Sequence, residues 1–386
     1  MKGETTVRRL TLLLGLILLA TGLIASQPHP TIQYVFPLPD SKALSRQTTI
    51  ILRFHPQYTD QIDQLGNLIQ VSGSIQGSYE GDLFFSTDER TIIFKPDSYF
   101  RIDEEVTVTI QTSRFAEDDF IYSFFIESSS ANEMTAPIPD PADFEMDDPD
   151  VTTSSSTDIR VINGVAVPDD FPQITTHVIG ETAPGKIFYS THFINNNGAY
   201  VIAVHNDGTP YLFRRFPEGT ILADFVTLPD GNFSVFYNTN GWRQAILDPS
   251  MQIIDEYEGG HGYEVDEHEF VLLENGHALM TLQRTITVDM SQVVPGGHPR
   301  AQVEGNMFQE YDADKNVIFE WRSWDHLRLE DVAGISLTAN HIDYVHMNSV
   351  SLDFDDHYIV SFRHMDEIMK INRNTGETIW LSLIHI

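Results

Sequence analysis

Two stretches near the end of the chain combine side chains that could bind or transfer an anionic group. The first is Asp343–Ser349 (DYVHMNS), and the second, after a short acidic turn, is Ser361–His364 (SFRH). An imidazole such as that of His346 is a nucleophile or base near neutral pH, and a guanidinium such as that of Arg363 presents forked donors to a tetrahedral oxyanion. These are the residue types on which a sulfate or phosphate site would rest.

A hairpin that turns at Asp353–Asp356 would bring these side chains together. A simple antiparallel fold there places His346 opposite Arg363, with Cβ atoms about 5 Å apart. Asn348 is two residues from His346 and is expected on the same face of the strand. His364 directly follows Arg363, so it is expected on the opposite face and is left out of the site. We therefore predict that His346, Arg363 and Asn348 converge on a ligand.

A second candidate, His268, lies in the segment Asp266–Phe270 (DEHEF). This segment occupies the equivalent point of an earlier repeat, so His268 is expected beside His346. His261 precedes it on a glycine-rich approach and is a further candidate for substrate binding. A metal site built from His261, His268 and Asp266 is an alternative, because imidazole and carboxylate suit zinc or iron. Its spacing matches no metal motif, and we predict no metal.

Several residues in these stretches also have an ordinary structural interpretation. A single His or Arg in a strand is usually solvated or hydrogen-bonded. The segment Trp321–His326 (WRSWDH) is dense in aromatic side chains, and Trp324 is a candidate wall for an aromatic ligand, although core packing is the commoner role. The sequence contains no HExxH, P-loop, GxSxG or GxGxxG motif.

An internal repeat indicates the elements that position these residues. Leu228–Asn232 aligns with Leu273–His277, and Leu352–His357 is a looser copy; each lies between β-rich runs, as in a hairpin. A second hairpin follows each copy, and an earlier half-copy spans Tyr200–Phe216. The period of about 45 residues, stretched to roughly 80 by one insertion, is typical of a propeller with four-stranded blades, of which we count roughly three and a half. A β-solenoid is the alternative.

The second hairpins are Ile246–Glu258, Phe308–Trp321 and Ile368–Trp380. The insertion runs from about Thr285 to Gly305 and contains Pro and Gly, so it is predicted to be a long loop that acts as a lid or substrate wall.

Residues 30–127 predict a separate β-sandwich of about seven strands, because short strand-like runs alternate with turn residues. This stretch resembles bacterial immunoglobulin-like domains, which suggests a role in spacing, docking or contact within a homodimer. Residues 128–160 are acidic and rich in Pro and Ser and are expected to form a mobile linker. The propeller-like part occupies residues 161–380.

Residues 1–26 have the pattern of a signal peptide, with a basic start, an apolar run and small residues near a cleavage point. An uncleaved N-terminal anchor is the alternative. Both interpretations place the rest of the chain outside the cytoplasm, in the periplasm or the extracellular space.

The net charge and the lack of cysteine limit the partners and the chemistry that are open to this chain. The formal net charge of the 386-residue chain is −33, which repels nucleic acid and anionic membrane surfaces. The chain has no cysteine, which excludes disulfides, thiolate catalysis, thiolate metal sites and a lipoprotein anchor.

The stretch from about Pro172 to Trp380 resembles the bacterial aryl-sulfate sulfotransferase (arylsulfotransferase) family. The resemblance implies a six-bladed propeller that moves a sulfuryl group from a phenolic sulfate donor to a phenol acceptor through a sulfohistidine, without a nucleotide donor or other cofactor. It implies that His346 and Arg363 bind the sulfate oxygens and that His268 supports them. The matching segments are Thr182–Phe188, Asp266–Phe270, Leu273–His277, Phe319–His326, His346–Ser349, Ser361–Arg363 and Asp366–Ile368.

The chain departs from the family pattern in one respect. The nucleophilic histidine of the family maps to no residue here, and residues 381–386 match the translation of a common sequencing adapter. We therefore expect an all-β chain with an incomplete β-propeller, a non-native tail and no activity of its own; a short native strand is the alternative for the tail. For function, the alternative is a non-catalytic exported propeller that binds a glycan or a protein partner.

Overall fold

The structure, a computed structural model, describes residues 29–59, 68–114, 118–127, 159–178, 180–191, 199–238 and 241–383. The predicted signal peptide and residues 128–158 of the predicted linker lie outside these residues. The described chain is all-β, with antiparallel sheets, one single-turn helix α1 (Ser323–His326) and short 3-10 turns. The 3-10 turns are Pro56–Tyr58, Thr112–Arg114, Gly260–Gly262, Met290–Gln292, Leu329–Asp331 and Arg363–Met365.

The N-terminal part consists of two four-stranded antiparallel sheets whose buried side chains share one hydrophobic cluster. One sheet contains β1 (Ile32–Phe36), β2 (Ile50–Phe54), β5 (Gly81–Phe85) and β6 (Thr91–Pro96), in the order β1-β2-β6-β5. The other contains β3 (Ile69–Gly73), β4 (Gly77–Tyr79), β7 (Glu105–Ile110) and β8 (Phe120–Phe125), in the order β4-β3-β7-β8. In β7 every second residue is buried, as expected for a strand with one face on the core.

The rest of the chain forms consecutive antiparallel sheets in which neighbouring strands follow one another in sequence. A hairpin of β9 (Ile159–Ile162) and β10 (Val165–Pro168) precedes a three-stranded sheet of β11 (Ile187–Ser190), β12 (Ala199–Val204) and β13 (Pro210–Phe216). The second sheet contains β14 (Ile221–Thr227), β15 (Phe233–Asn238), β16 (Trp242–Leu247) and β17 (Ile253–Tyr257).

The third sheet contains β18 (Glu264–Leu272), β19 (Ala278–Val288), β20 (Ala301–Tyr311) and β21 (Val317–Arg322), and β22 (His341–Asp343) adds to β20 in parallel. The fourth contains β23 (Met347–Leu352), β24 (Tyr358–Phe362), β25 (Glu367–Ile371) and β26 (Thr378–Leu383). The predicted hairpins at the three repeat copies, and the second hairpin after each, are confirmed. None of the sheets within the described ranges closes on itself.

The predicted long loop from Thr285 to Gly305 is wrong over much of its length. β19 and β20 have 11 residues each and pair without interruption from Ala278↔Tyr311 to Val288↔Ala301. All four residues of Thr285–Val288 are β-branched, which favours a strand. Only residues 289–300 remain as the connection, and they contain the turn Met290–Gln292.

The N-terminal sheets contact the third and fourth sheets through buried polar groups. The hydroxyl of Tyr34 donates to the carbonyl oxygen of Glu320 at 2.7 Å and accepts from its N–H at 2.8 Å. The guanidinium of Arg53, which is 4% exposed, donates to the carbonyl oxygens of Ile318 and Arg373 at 3.2 and 2.6 Å. The N-terminal part therefore packs against the third and fourth sheets of the same chain, and its role in spacing, docking or contact within a homodimer stays a prediction.

Within the described ranges, no helix has both the length and the apolar character needed to span a bilayer.

Candidate functional site

A cavity of about 200 Å³ lies where the second, third and fourth sheets meet. We call it the histidine cavity, because the predicted residues His268 and His346 both line it. Its lining residues are Trp242 from β16, Asp266, Glu267 and His268 from β18, Gln283 from β19, Glu304 and Asn306 from β20, and His346 and Met347 at the start of β23.

An irregularity in β18 projects His268 into the histidine cavity. Pairing with β19 shifts register between Val265 and Phe270, so the residues between them leave the regular ladder. Oδ1 of Asp266 accepts hydrogen bonds from the backbone N–H of His268 at 3.0 Å and from its Nδ1 at 2.6 Å. The Nδ1 bond to Asp266 raises the pKa of His268 and leaves Nε2 as the nitrogen that can face a ligand.

His346 lies beside His268, as predicted from the repeat. The centroids of the two imidazole rings are 5.0 Å apart. The backbone of His346 has a positive φ of 48°, a conformation that L-residues adopt only when their surroundings hold them there. One such restraint is visible, because Nδ1 of His346 donates to Oδ2 of Asp343 at 2.5 Å.

His364 also lies beside His346, and the prediction that it points to the opposite face is wrong. Its ring centroid is 5.0 Å from that of His346, and its Nδ1 donates to the carbonyl oxygen of Asp343 at 2.7 Å. Strand alternation ends at Phe362, because Arg363–Met365 forms a 3-10 turn. The turn swings His364 toward His346.

The backbones of His346 and Arg363 are opposite each other, with the N–H of Arg363 donating to the carbonyl oxygen of His346 at 3.0 Å. The hairpin is not simple, since its register shifts between Met347 and Ser349 and leaves Asn348 as a bulge. Arg363 is exposed, and its guanidinium makes no hydrogen bond or ion pair with the described part of the chain. Neither Arg363 nor Asn348 lines the histidine cavity. Of the three side chains predicted to converge on a ligand, only His346 therefore lines it.

His261 lies away from the histidine cavity, where the N-terminal sheets meet the third sheet. Its Nδ1 donates to Oε2 of Glu320 at 2.6 Å, and its Nε2 accepts from the hydroxyl of Thr49 at 2.8 Å. Its ring stacks on Phe36 with centroids 5.5 Å apart. Both nitrogens are therefore engaged in structural bonds, which contradicts the alternative of a metal site built from His261, His268 and Asp266.

Trp324 is half-buried and packs against the core, and it does not line the histidine cavity. A Cβ added to Gly305 would lie 2.3 Å from Cε2 of Trp324, so this position of β20 has room only for glycine. The Trp324 ring is 5.1 Å from that of Tyr344. The structural interpretation of Trp324 therefore accounts for its position.

The sequence reasoning missed four lining residues, Trp242, Gln283, Glu304 and Asn306, of which Trp242 and Glu304 bear most on the chemistry. Trp242 supplies an aromatic surface and packs against Phe236, with ring centroids 5.4 Å apart. Glu304 lies beside Asp343 in the parallel pairing of β20 with β22. Burial and the charge of Asp343 raise the pKa of Glu304 to about 7. The alternation of polar and apolar residues over Gln302–Asn306 was the signal that could have identified Glu304.

The histidine cavity is acidic. Its described lining contains the carboxyl groups of Asp266, Glu267 and Glu304 and no Lys or Arg. A bound anion therefore requires positive charge from protonated imidazoles or from residues at the rim.

Comparison with solved structures gives only weak similarity. A protein of unknown function from Bacteroides caccae is 10% identical with a TM-score of 0.31, over 52% of this chain and 57% of that one. L,D-transpeptidase 3 of Mycobacterium tuberculosis is 11% identical with a TM-score of 0.19, over 25% and 37%. The alignments cover 57% and 37% of those two chains, less than two thirds of either. No curated protein matches.

Comparison with protein families gives a specific result. The sequence model described as Arylsulfotransferase (ASST) matches residues 183–382, which include every lining residue of the histidine cavity. The matched segment is more than half of the chain. It contains His268, His346 and Arg363, the residues to which the sequence resemblance gives roles. The chain belongs to the arylsulfotransferase family.

Proposed function

We propose that this protein transfers a sulfuryl group from a phenolic sulfate to a phenol acceptor. The observation that carries the proposal is the pair of imidazoles of His268 and His346, 5.0 Å apart in a cavity inside the segment that matches the family. Imidazoles are suited to this chemistry because they bind oxyanions when protonated and act as bases or nucleophiles when neutral.

The sulfate end of the donor is assigned to His346, His268 and Arg363. Sulfuryl transfer, like phosphoryl transfer, spreads negative charge over three equatorial oxygens, so preorganised donors stabilise it. The bond from Asp266 favours the protonated form of His268, which supplies positive charge inside the acidic lining. Arg363 adjoins His346 through the backbone, and its exposed guanidinium carries the forked donors that suit a sulfate.

The aromatic end of the donor is assigned to Trp242. Its indole lines the histidine cavity and offers a flat apolar surface against which a phenyl ring can stack. Trp242 takes the role that the sequence reasoning gave to Trp324.

The reaction proceeds in two displacements. In the first, the lone pair of a neutral imidazole forms a nitrogen–sulfur bond while the sulfur–oxygen bond of the donor breaks, and the donor leaves as a phenolate. In the second, the oxygen of the acceptor phenol bonds to sulfur while the nitrogen–sulfur bond breaks, and the proton of the acceptor passes to a base. The resemblance assigns the nucleophile to a histidine that maps to no residue of this chain, so His346 and His268 act on the sulfate oxygens.

The fold supports the finer architecture that the family resemblance implies. The consecutive four-stranded sheets of residues 161–380 correspond to blades of a propeller, which is six-bladed in the family. The two N-terminal sheets of residues 30–127 correspond to an immunoglobulin-like sandwich. The N-terminal sequence pattern supports export to the periplasm or beyond.

The test is an assay of the protein expressed from the complete reading frame of its gene. A nitrophenyl sulfate serves as donor, and several phenols serve as acceptors. We expect release of nitrophenolate that rises with acceptor concentration, with the parallel double-reciprocal lines of a ping-pong mechanism. A rate of nitrophenolate release that does not depend on acceptor concentration would indicate a hydrolase. No release with any phenol would favour the non-catalytic binding module.

A further inference from the structure

Asp343, His346 and His364 form a compact cluster of metal-ligating side chains. Each offers one ligand atom, and the three atoms lie within 4.8 Å of one another. Nδ1 of His346 is 2.5 Å from Oδ2 of Asp343, and Nδ1 of His364 is 3.8 Å from the same oxygen. Tetrahedral zinc with bonds of about 2.1 Å separates its ligand atoms by about 3.4 Å. The two observed distances bracket that value. A metal ion at the two Nδ1 atoms would replace the protons that His346 now donates to Oδ2 of Asp343 and that His364 donates to the carbonyl oxygen of Asp343.

The carboxylate of Asp343 has unused binding capacity. Its Oδ1 is buried and has no hydrogen-bond partner among the described residues. A buried carboxylate oxygen without a partner is costly, because it has lost its hydration without replacement. A cation bound at this carboxylate would remove that cost.

The surrounding charges point to the same conclusion. Glu304 pairs directly with Asp343 across β20 and β22, and Asp266 lies nearby in the lining of the histidine cavity. Neighbouring carboxylates repel one another, and within the described lining only the imidazole of His268, bonded to Asp266, offsets the charge of Asp266. A divalent cation beside Asp343 would neutralise this group of carboxylates.

The backbone holds the three side chains in place. Asp343 and His346 are three residues apart on the segment that enters β23, and His364 lies across the hairpin. The N–H of His364 donates to the carbonyl oxygen of Val345 at 3.2 Å, which fixes the turn against that segment. The site is thus assembled by main-chain contacts and does not depend on the metal for its arrangement.

We propose that Asp343, His346 and His364 bind a divalent transition-metal ion of the zinc class. Two imidazoles and one carboxylate favour zinc over magnesium or calcium, which prefer all-oxygen ligands. Three protein ligands leave the fourth tetrahedral position open to water or a ligand. This inference is independent of the proposed sulfuryl transfer, because it rests on the ligand geometry and the charge of the site alone.

The experiment measures Zn²⁺ binding by the purified chain after treatment with a chelator. Zn²⁺ is titrated in competition with a chromophoric chelator, and Co²⁺ is used as a spectroscopic probe of nitrogen and oxygen ligands. We expect one ion per chain. Asp343→Asn and His364→Gln should each weaken binding at least about tenfold. His205→Gln, which removes an exposed histidine in the turn after β12, is the matched control and should bind as the parent does.

Far-UV circular dichroism checks that each variant is folded, and either ligand variant alone suffices if the other does not fold. Equal Zn²⁺ affinity in the parent, His364→Gln and His205→Gln would overturn the assignment to this cluster. A parent chain that binds no Zn²⁺, or binds Mg²⁺ more tightly, would overturn the proposal itself.

Discussion

The carboxylate of Glu310 on β20 accepts two hydrogen bonds from the guanidinium of Arg373, in the turn between β25 and β26. One of them, from Nε to Oε2, is 2.9 Å long. His277 and the hydroxyl of Tyr358 donate to the same carboxylate at 2.8 and 2.5 Å. Glu310 is 1% exposed, so this network joins the third and fourth sheets inside the protein.

The Glu310 network predicts a pH-dependent contribution to stability. Burial alone would raise the pKa of Glu310, but the hydrogen bonds from His277 and Arg373 outweigh it and lower the pKa from 4.5 to about 2. A depressed pKa stabilises the folded state above the unfolded value, and that stabilisation is lost as the pH falls from about 4.5 to about 2. Glu310→Gln should therefore destabilise the protein by about 3 kcal/mol near neutral pH and by less in acid.

The measurement is urea unfolding of both proteins at about pH 7 and about pH 3.5. The control is Glu330→Gln, which removes a carboxylate from an exposed pair with Arg328 and should change little. A difference between parent and Glu310→Gln that stays constant with pH would contradict the lowered pKa.

The buried hydrogen bonds of the Tyr34 hydroxyl should contribute to the free energy of unfolding by joining the N-terminal sheets to the third sheet. Tyr34→Phe leaves both the carbonyl oxygen and the N–H of Glu320 without this partner in a buried interface. We expect a loss of about 1–3 kcal/mol in the free energy of unfolding. Tyr99→Phe is the matched control, because Tyr99 is 51% exposed. Equal stability of the two variants would mean that the Tyr34 contact adds nothing.

Local sequence signals were sufficient to predict the hairpins of this fold. Turn segments such as Leu228–Asn232 and Leu273–His277 carry residues suited to tight turns between β-rich runs, and both form the expected hairpins. Alternation also marks the extension of β19 and β20, but the Pro and Gly residues of residues 295–299 favoured a loop over the whole insertion. The strand pattern of β19 and β20 was present in the sequence, but the Pro and Gly content of the insertion was given more weight.

The site was harder to predict, because its geometry depends on two departures from regular strands. The bulge at Asn348 and the 3-10 turn Arg363–Met365 decide which side chains meet His346. Neither departure has a local sequence signal comparable with a glycine turn, since both are fixed by contacts between separate segments. Strand alternation therefore placed His364 on the wrong face, while the repeat alignment placed His268 correctly.

Replacing Trp242 should weaken binding of the aromatic groups of donor and acceptor without a comparable effect on the chemical step. Trp242→Ala removes the indole surface of the histidine cavity but no charged group. In the assay with the complete reading frame, KM for the donor or acceptor should rise about tenfold while kcat changes less, because the lost contact is made equally in the ground and transition states. Trp380→Ala is the control, since Trp380 is 42% exposed on the last strand. A fall in kcat with unchanged KM would show that Trp242 acts on the reacting group instead.

Arg363 provides the sharpest test of the assigned sulfate contact. Its guanidinium is exposed and makes no bond within the described chain, so Arg363→Ala should leave the free energy of unfolding within about 0.5 kcal/mol of the parent. Turnover should nevertheless fall by about 10²–10³-fold, since a donor aimed at the charge of the transition state is lost. Arg328→Ala removes another exposed arginine, 58% accessible, and should keep full activity. An unchanged rate in Arg363→Ala would remove Arg363 from the site and leave the two imidazoles of the histidine cavity as its oxyanion donors.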